Sequence, residues 1–259
     1  MKTKIYLDNE NYLAGMTIKD ALEPENNNMA LHACINTEDI ITNRKKLAAV
    51  LQLELEDFVC ANQTHSSNLQ KVTLSDKGAG AYSIKTAIAN TDALFTYDEN
   101  LLLCCFTADC VPLLFYNPSA GIIGVIHSGW QGTVKEITLK VFQHLIQVEK
   151  CAASDFQVYI GMAISQEKFE VSKDVYIKYK ALPYAKDYIY YQQSTGKYHI
   201  DNQKTVKKQC QLAGIPSTNI MIDHDCTYKN PHGFSYRENK QCGRHLSFIL
   251  KKPGGHTDF

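Results

Sequence analysis

Two apolar runs, residues 110–116 and 122–126, flank the turn Asn117-Pro118-Ser119-Ala120-Gly121. Runs of this length bounded by Asn, Pro and Gly predict a β-hairpin of buried strands. Further extended segments are expected over 58–61, 89–97, 101–106, 156–160, 220–223 and 246–250. A helical period marks three more elements. The first covers 38–51 with Thr37 as N-cap. Ile40, Leu47 and Leu51 share its apolar face, and Arg44 falls on the same stripe. The second covers 133–147 and buries Val134, Ile137, Val141 and Leu145. The third covers 202–213, with Asp201 as N-cap and Gly214 just past its end. Residues 165–193 carry only a helical hint at 173–179. Strands interleaved with three helices predict a mixed α/β protein, not a strict βαβ series. No repeat, low-complexity block or long linker divides the chain. Residues 1–259 therefore read as one domain, with short strands and turns over 1–30 and a flexible tail over 251–259.

Composition narrows the partners. The 27 basic and 27 acidic residues cancel to a formal net charge of zero, which argues against a broad nucleic-acid footprint. No window holds the apolar run that a spanning helix needs, and the N-terminus has no apolar core of signal-peptide length. Nine irregularly spaced cysteines, two of them adjacent at Cys104 and Cys105, then read as reduced thiols of a cytoplasmic protein.

Chemistry-bearing residues stand at the rims of the hairpin. Asp109 and Cys110 open its first strand, in TADCVPLLF, and His127 closes its second, in GVIHSGW. If Asn117 faces Ala120, Cys110 faces His127, with Cβ atoms about 4.5–5.5 Å apart. If Tyr116 faces Ile122, Cys110 faces Ser128 and the two groups point to opposite sides unless a bulge intervenes. Pro112 lacks a ladder donor, so an edge strand or a bulge is expected there. The pattern permits the thiol and imidazole to meet without requiring it.

Four segments in order, NQTHSS, TADCVPLLF, GVIHSGW and FSYRENKQCGR, resemble the YfiH-like family, also called laccase-domain or polyphenol-oxidase-like proteins. The likeness is collinear over residues 31–250, and the segments ITNRKKLA and HIDNQKTVKKQCQLAGI share it. The resemblance implies layered α/β/α architecture with mixed β-sheets. It implies a zinc ion held by two histidines and a cysteine, which by motif position are His65, Cys110 and His127. It also implies phosphorolysis of adenosine, inosine or methylthioadenosine to the base and ribose-1-phosphate or its methylthio analogue, with adenosine deamination at the same site. A nucleoside and phosphate are then the partners, and the chain is a monomer or homodimer. The segment IGMAISQEKFEV departs from the family pattern at Met162 and near Lys168, in what the resemblance makes a pocket wall.

A thiolate and two imidazoles leave the fourth position of a tetrahedral zinc open, as catalytic sites do. Zinc brings a bound water's pKa to about 7, and hydroxide attack at C6 of adenosine is deamination. Phosphorolysis instead asks that phosphate be held against C1′ while the base leaves. Arg44 has a planar fork suited to phosphate, or else a buried partner of its own. Arg237 and Arg244 flank a turn and are further candidates for an anion, or are solvated. Asp109 could orient a ligand histidine, carry a proton, or make a rim hydrogen bond. Gln63 is a substrate contact on resemblance alone. Free N–H groups near Gly132 and Thr133 offer a generic anion site. His224, Cys226 and His232 match no common zinc spacing and read as structural.

Two rivals remain. A copper polyphenol oxidase needs many imidazoles in organised pairs. Nine histidines spread from His32 to His256, with no His-x-His pair, disfavour it. A metal-free cysteine hydrolase, with Cys110 as nucleophile and His127 as base, would act on an amide or cell-wall substrate. It does not require His65, which the zinc site does.

Overall fold

The structure of the protein, a computed structural model, describes residues 1–254. In chain order the strands are β1 (Thr3–Asp8), β2 (Tyr12–Thr17), β3 (Phe58–Cys60), β4 (Leu69–Lys71), β5 (Ala93–Thr96), β6 (Leu102–Thr107), β7 (Val111–Asn117), β8 (Ile122–Ser128), β9 (Gln157–Ile160), β10 (Glu170–Val171), β11 (Ile189–Gln192), β12 (Lys197–Ile200), β13 (Ile220–Ile222) and β14 (His245–Lys251). The helices are α1 (Thr37–Val50), α2 (Trp130–Val134), α3 (Ile137–Gln147), α4 (Lys173–Lys180) and α5 (Asn202–Leu212).

Two mixed sheets stack face to face. One runs β1-β2-β14-β6-β3 and the other β13-β9-β7-β8-β5-β4. Parallel pairs β3–β6, β13–β9 and β4–β5 sit among antiparallel neighbours. Alternation along each strand explains the layers. On β6, Leu103 and Cys105 face the slot between the sheets, while Leu102, Cys104 and Phe106 face outward to α1. On β7, Leu114 faces the slot, while Val111, Leu113 and Phe115 face α3 and α5. Both faces are covered, so these strands read as continuous apolar runs. Phe115, Phe142 and Phe156 meet edge to face, with centroids 5.1, 6.0 and 5.2 Å apart, under α3. The mixed α/β class and the mixed sheets are as expected. The middle of the sandwich is double, giving a helix–sheet–sheet–helix stack. A separate three-stranded sheet, β10-β12-β11, packs with α4 through Val171, Tyr179 and Ile200.

Several local expectations shift. The hairpin takes neither proposed register, because Asn117 faces Ile122 and Pro112 faces His127. β7 is an interior strand between β9 and β8, not an edge. Pro112 is tolerated because it stands at the strand's end, where its carbonyl accepts from Gly161 N–H just past β9. The N-cap of α1 is Asn36, whose side chain accepts from Glu38 N–H. The expected second helix is split: α2 is separated from α3 by Glu136, left-handed at φ 61°. Asp201 caps α5, and Gly214 follows it at φ 99°. Of the expected tail, Lys251 belongs to β14 and Lys252 N–H bonds to Asn11 carbonyl. Residues 255–259 lie outside the described residues. No helix among the described residues is long and apolar enough to cross a membrane.

Candidate metal centre and its cleft

Alternation carries both hairpin residues to the same place. Pro112 opposes His127, and Cys110, two residues earlier, keeps to the same face, so the thiol is the diagonal neighbour of the imidazole. This face also presents Leu114, Ile123 and Val125, so the pair stands at the end of the apolar slot between the sheets. His65 arrives from the loop between β3 and β4 with φ 57°. Its Nε2 lies 3.9 Å from Cys110 Sγ, and its ring centroid lies 4.8 Å from that of His127 at 70°. The donor atoms of His65, Cys110 and His127 all fall within 4.8 Å of one another.

Gly129 leaves room for them. A Cβ there would stand 2.6 Å from His65 Cδ2 and 2.9 Å from Cys110 Sγ. Its φ of −68° suits any residue, so the constraint is space and not backbone strain. The carboxylate of Asp92, the residue before β5, lies behind the histidines. It faces His127 Nδ1 at 2.8 Å and accepts from the backbone N–H groups of Thr64, His65 and Ser66 and from Ser66 Oγ.

The electrostatics are those of an ion pair. Burial pushes the Cys110 thiol up, but the His127 charge and hydrogen bonds from both histidines outweigh it and bring it down to about 6. Burial likewise pushes His127 down, but the Cys110 charge and the Asp92 and Cys110 hydrogen bonds raise it to about 9. Asp92 is held well below the usual carboxylate range. Burial opposes this, and the His127 hydrogen bond and charge, with Ser66, prevail. A thiolate and two imidazoles this close, with a ring N–H of one fixed by a carboxylate, fit a tetrahedral metal with one open position.

The site opens into a cleft of about 460 Å³, walled by Trp130, Phe169, Glu170, Asp174, Tyr236 and Arg237. Arg237 lies over the Phe169 ring, and its guanidinium donates to the carbonyls of Lys168 and Glu170. Asp109 lines the same cleft at φ 82°. It does not touch a ligand histidine, because its oxygens accept from Thr227 Oγ1 at 2.6 Å and Arg237 N–H at 2.7 Å.

Other candidates lie elsewhere. Arg44 is buried, with its guanidinium given to the carbonyls of Met29, Gly80 and Ala81 and stacked over Phe106. That commits three of its five N–H donors to the fold, and it does not line the cleft. Gln63 is likewise structural, since its amide exchanges two hydrogen bonds with the Phe106 backbone like a strand residue. Arg244 faces a different depression beside His32 and Cys242, where its Nη1 donates to Cys242 and Gly243 carbonyls. The N–H of Thr133 bonds to Gly129 carbonyl within the short α2, so it is not free for an anion. His224 is exposed, while Cys226 is buried and His232 half-buried. Cys226 Sγ accepts from Ser165 N–H, His232 Nδ1 bonds to Lys19 carbonyl, and the three form no metal-holding group. Asp92 and Gly129 went unnoticed in the sequence. Asp92 is one of 27 acids, and nothing local marks it as facing a loop 27 residues away. Among the described residues, His65, Cys110 and His127 are the one group of three or more such donors close enough to share an ion. That does not match the several clustered imidazoles a multicopper oxidase needs.

The family model described as multi-copper polyphenol oxidoreductase laccase matches residues 20–252. The chain is 34% identical over 251 residues to purine nucleoside phosphorylase YlmD of Bacillus subtilis (strain 168), covering 95% of this chain and 90% of that protein. It is 35% identical over 247 residues to the protein of the same name from Geobacillus stearothermophilus, covering 93% and 90%. Among solved structures it superposes on YfiH, a hypothetical protein of Bacillus licheniformis, with TM-score 0.88 at 30% identity over 96% of this chain and 99% of that one. YlmD from Geobacillus stearothermophilus gives TM-score 0.88 at 31% identity over 97% and 100%. With motifs, fold and most of its length matched, the chain belongs to the multi-copper polyphenol oxidoreductase laccase family, that of the laccase-like YfiH and YlmD proteins.

Proposed function

We propose that the protein is a zinc-dependent purine nucleoside phosphorylase, cleaving inosine, adenosine or methylthioadenosine with phosphate and also deaminating adenosine. The observation that carries it is the convergence of His65, Cys110 and His127 at the head of an aromatic-walled cleft, in a chain whose relatives are named purine nucleoside phosphorylases. A soft thiolate with two imidazoles favours zinc over the hard cations. Zinc held by His65, Cys110 and His127 would supply a Lewis acid and lower the pKa of a bound water to about 7.

The chain's own residues do the rest. Trp130, Phe169 and Tyr236 offer flat apolar faces for a purine. Arg237 brings positive charge to the phosphate, and Glu170 and Asp174 can accept hydrogen bonds from ribose hydroxyls. In the reaction a phosphate oxygen bonds C1′, the C1′–N9 bond breaks, and its electron pair leaves with the base, which takes up the proton that hydrogen phosphate gives up. Asp109 ties the Thr227 and Arg237 segments together beside Cys110, and so shapes the cleft wall. All nine cysteines are unpaired, which supports a reducing, cytoplasmic setting.

The test is incubation of the purified protein with inosine or adenosine, with and without phosphate, identifying every product. Hypoxanthine release that depends on phosphate is expected. Equal cleavage without phosphate would make the enzyme a hydrolase of the glycosidic bond.

One observation favours a second reading. Cys110, His127 and Asp92 also line up as thiol, imidazole and carboxylate, the order of a cysteine hydrolase acting on an amide or cell-wall substrate. His65 discriminates: His65→Ala spares such a triad but removes zinc and phosphorolysis.

A further inference from the structure

We propose that Asp92 is a positioning residue that holds two of the three metal-ligating side chains at once, the His127 ring directly and His65 through its loop. The proposal rests on the zinc reading above. Asp92 is 3% exposed, and the bonds to its carboxylate all come from donors. Oδ1 takes His127 Nδ1 at 2.8 Å and His65 N–H at 3.1 Å. Oδ2 takes Thr64 N–H at 3.2 Å, Ser66 N–H at 2.7 Å and Ser66 Oγ at 2.6 Å. The backbone adds a link, since Asp92 carbonyl accepts from His127 N–H at 2.7 Å.

Two consequences follow from these bonds. An ionised carboxylate can only accept, so His127 Nδ1 must carry the proton and its Nε2 is the atom left for a metal. His65 occupies the left-handed region at φ 57°, which a non-glycine residue keeps only where its surroundings determine it. Three successive N–H groups, of residues 64 to 66, converge on the Asp92 carboxylate and hold that turn, which points Nε2 at Cys110. The side chain therefore couples a strand ligand to a loop ligand that is distant in sequence.

Substituting the isosteric amide makes this testable. In Asp92→Asn one of the two positions becomes an NH₂, which must face either the His127 Nδ1–H and His65 N–H or the Thr64 and Ser66 N–H groups. Donor then meets donor, so an amide cannot serve both histidines.

The experiment reconstitutes the full chain and Asp92→Asn with zinc, measures affinity by chelator competition, and records the visible spectrum of the cobalt-substituted forms. The variant should bind zinc about 10–100-fold more weakly, as loss of a ligand's orienting partner typically does. Its cobalt bands should also shift, which a loss of general stability would not produce. Wild-type affinity with an unchanged cobalt spectrum would overturn the proposal. Should the wild type itself take up neither metal, the zinc reading falls and this one with it. Should the variant not fold, a long-range proton–nitrogen spectrum of the zinc-loaded wild type decides. A His127 protonated at Nδ1 supports the proposal, and one protonated at Nε2 refutes it.

Discussion

At the site, Cys110 and His127 hold one proton between them over a defined range of pH. The thiol, lowered to about 6, is a thiolate above that value, and the imidazole, raised to about 9, is an imidazolium below that one. Sign by sign, the lowered thiol's contribution to stability is lost as pH falls through about 6, and the raised imidazole's is lost as pH rises through about 9. The metal-free pair therefore stabilises the protein between those limits. A metal needs the thiolate and a neutral imidazole, so binding must expel that proton. Apparent zinc affinity should rise about tenfold per pH unit between about 6 and about 9 and then flatten. Chelator competition across that range checks it, and a flat profile would mean the proton is not on His127. The three candidate ligands were legible because they sit in motifs that resemble a family. Arg44 was not, because its acceptors are the backbone carbonyls of residues 29, 80 and 81, which no side-chain pattern announces.

Among the elements, the hairpin decides the site. Its register places Gly129 beyond the last pair, level with Cys110 and against the His65 ring. Gly129→Ala should therefore crowd both ligands while leaving the backbone of α2 undisturbed. Overpacking of this kind costs about 1–3 kcal/mol. Here it should appear as roughly ten- to hundredfold weaker zinc binding with the melting transition retained; unchanged zinc affinity would show that His65 has space to move. The hairpin's existence followed from two apolar runs and a turn. Its register did not, because strands buried on both faces carry no alternation to read. The same ambiguity hid β7's interior position and made Pro112 look like an edge residue. Glu136 breaks the expected helix for a reason outside the local period. It lets Ile137, Val141, Phe142 and Leu145 turn onto the sheet, while its carboxylate accepts from Tyr184 hydroxyl.

Over the whole molecule, three large apolar clusters occupy the layers, and none of them includes His65, Cys110 or His127. Cores of that extent are expected to hold the fold without a metal, unlike a small zinc domain. Stripping zinc with a chelator should leave a protein that still melts in one cooperative transition. Restoring zinc to a hundred times its Kd should add about 2.7 kcal/mol. At about 2–4 °C per kcal/mol for a chain of this size, that is a rise in Tm of roughly 5–10 °C. Differential scanning calorimetry on both forms measures it; loss of the transition on chelation would make the site structural. The cleft belongs to this scale too, since its walls come from α2, β10, α4 and the turn around Arg237. Residues 165–193 showed little local pattern because much of that segment, including Tyr190, Tyr191 and Lys178, is exposed or only half covered.

The amino-acid sequence by itself determined which stretches are apolar enough to be buried, where α5 begins and ends, and that a thiol and an imidazole stand at the hairpin's rims; His65 joined them only through the family resemblance. Local patterns reach that far because periodicity, caps and motif chemistry act over a few residues. Only the tertiary structure decided the register that makes Cys110 the diagonal neighbour of His127. It also decided the withdrawal of Arg44 and Gln63 into the framework, and the placing of Asp92 behind both histidines. These depend on contacts between residues far apart in the chain, which form when two sheets close on each other and every buried donor must find an acceptor.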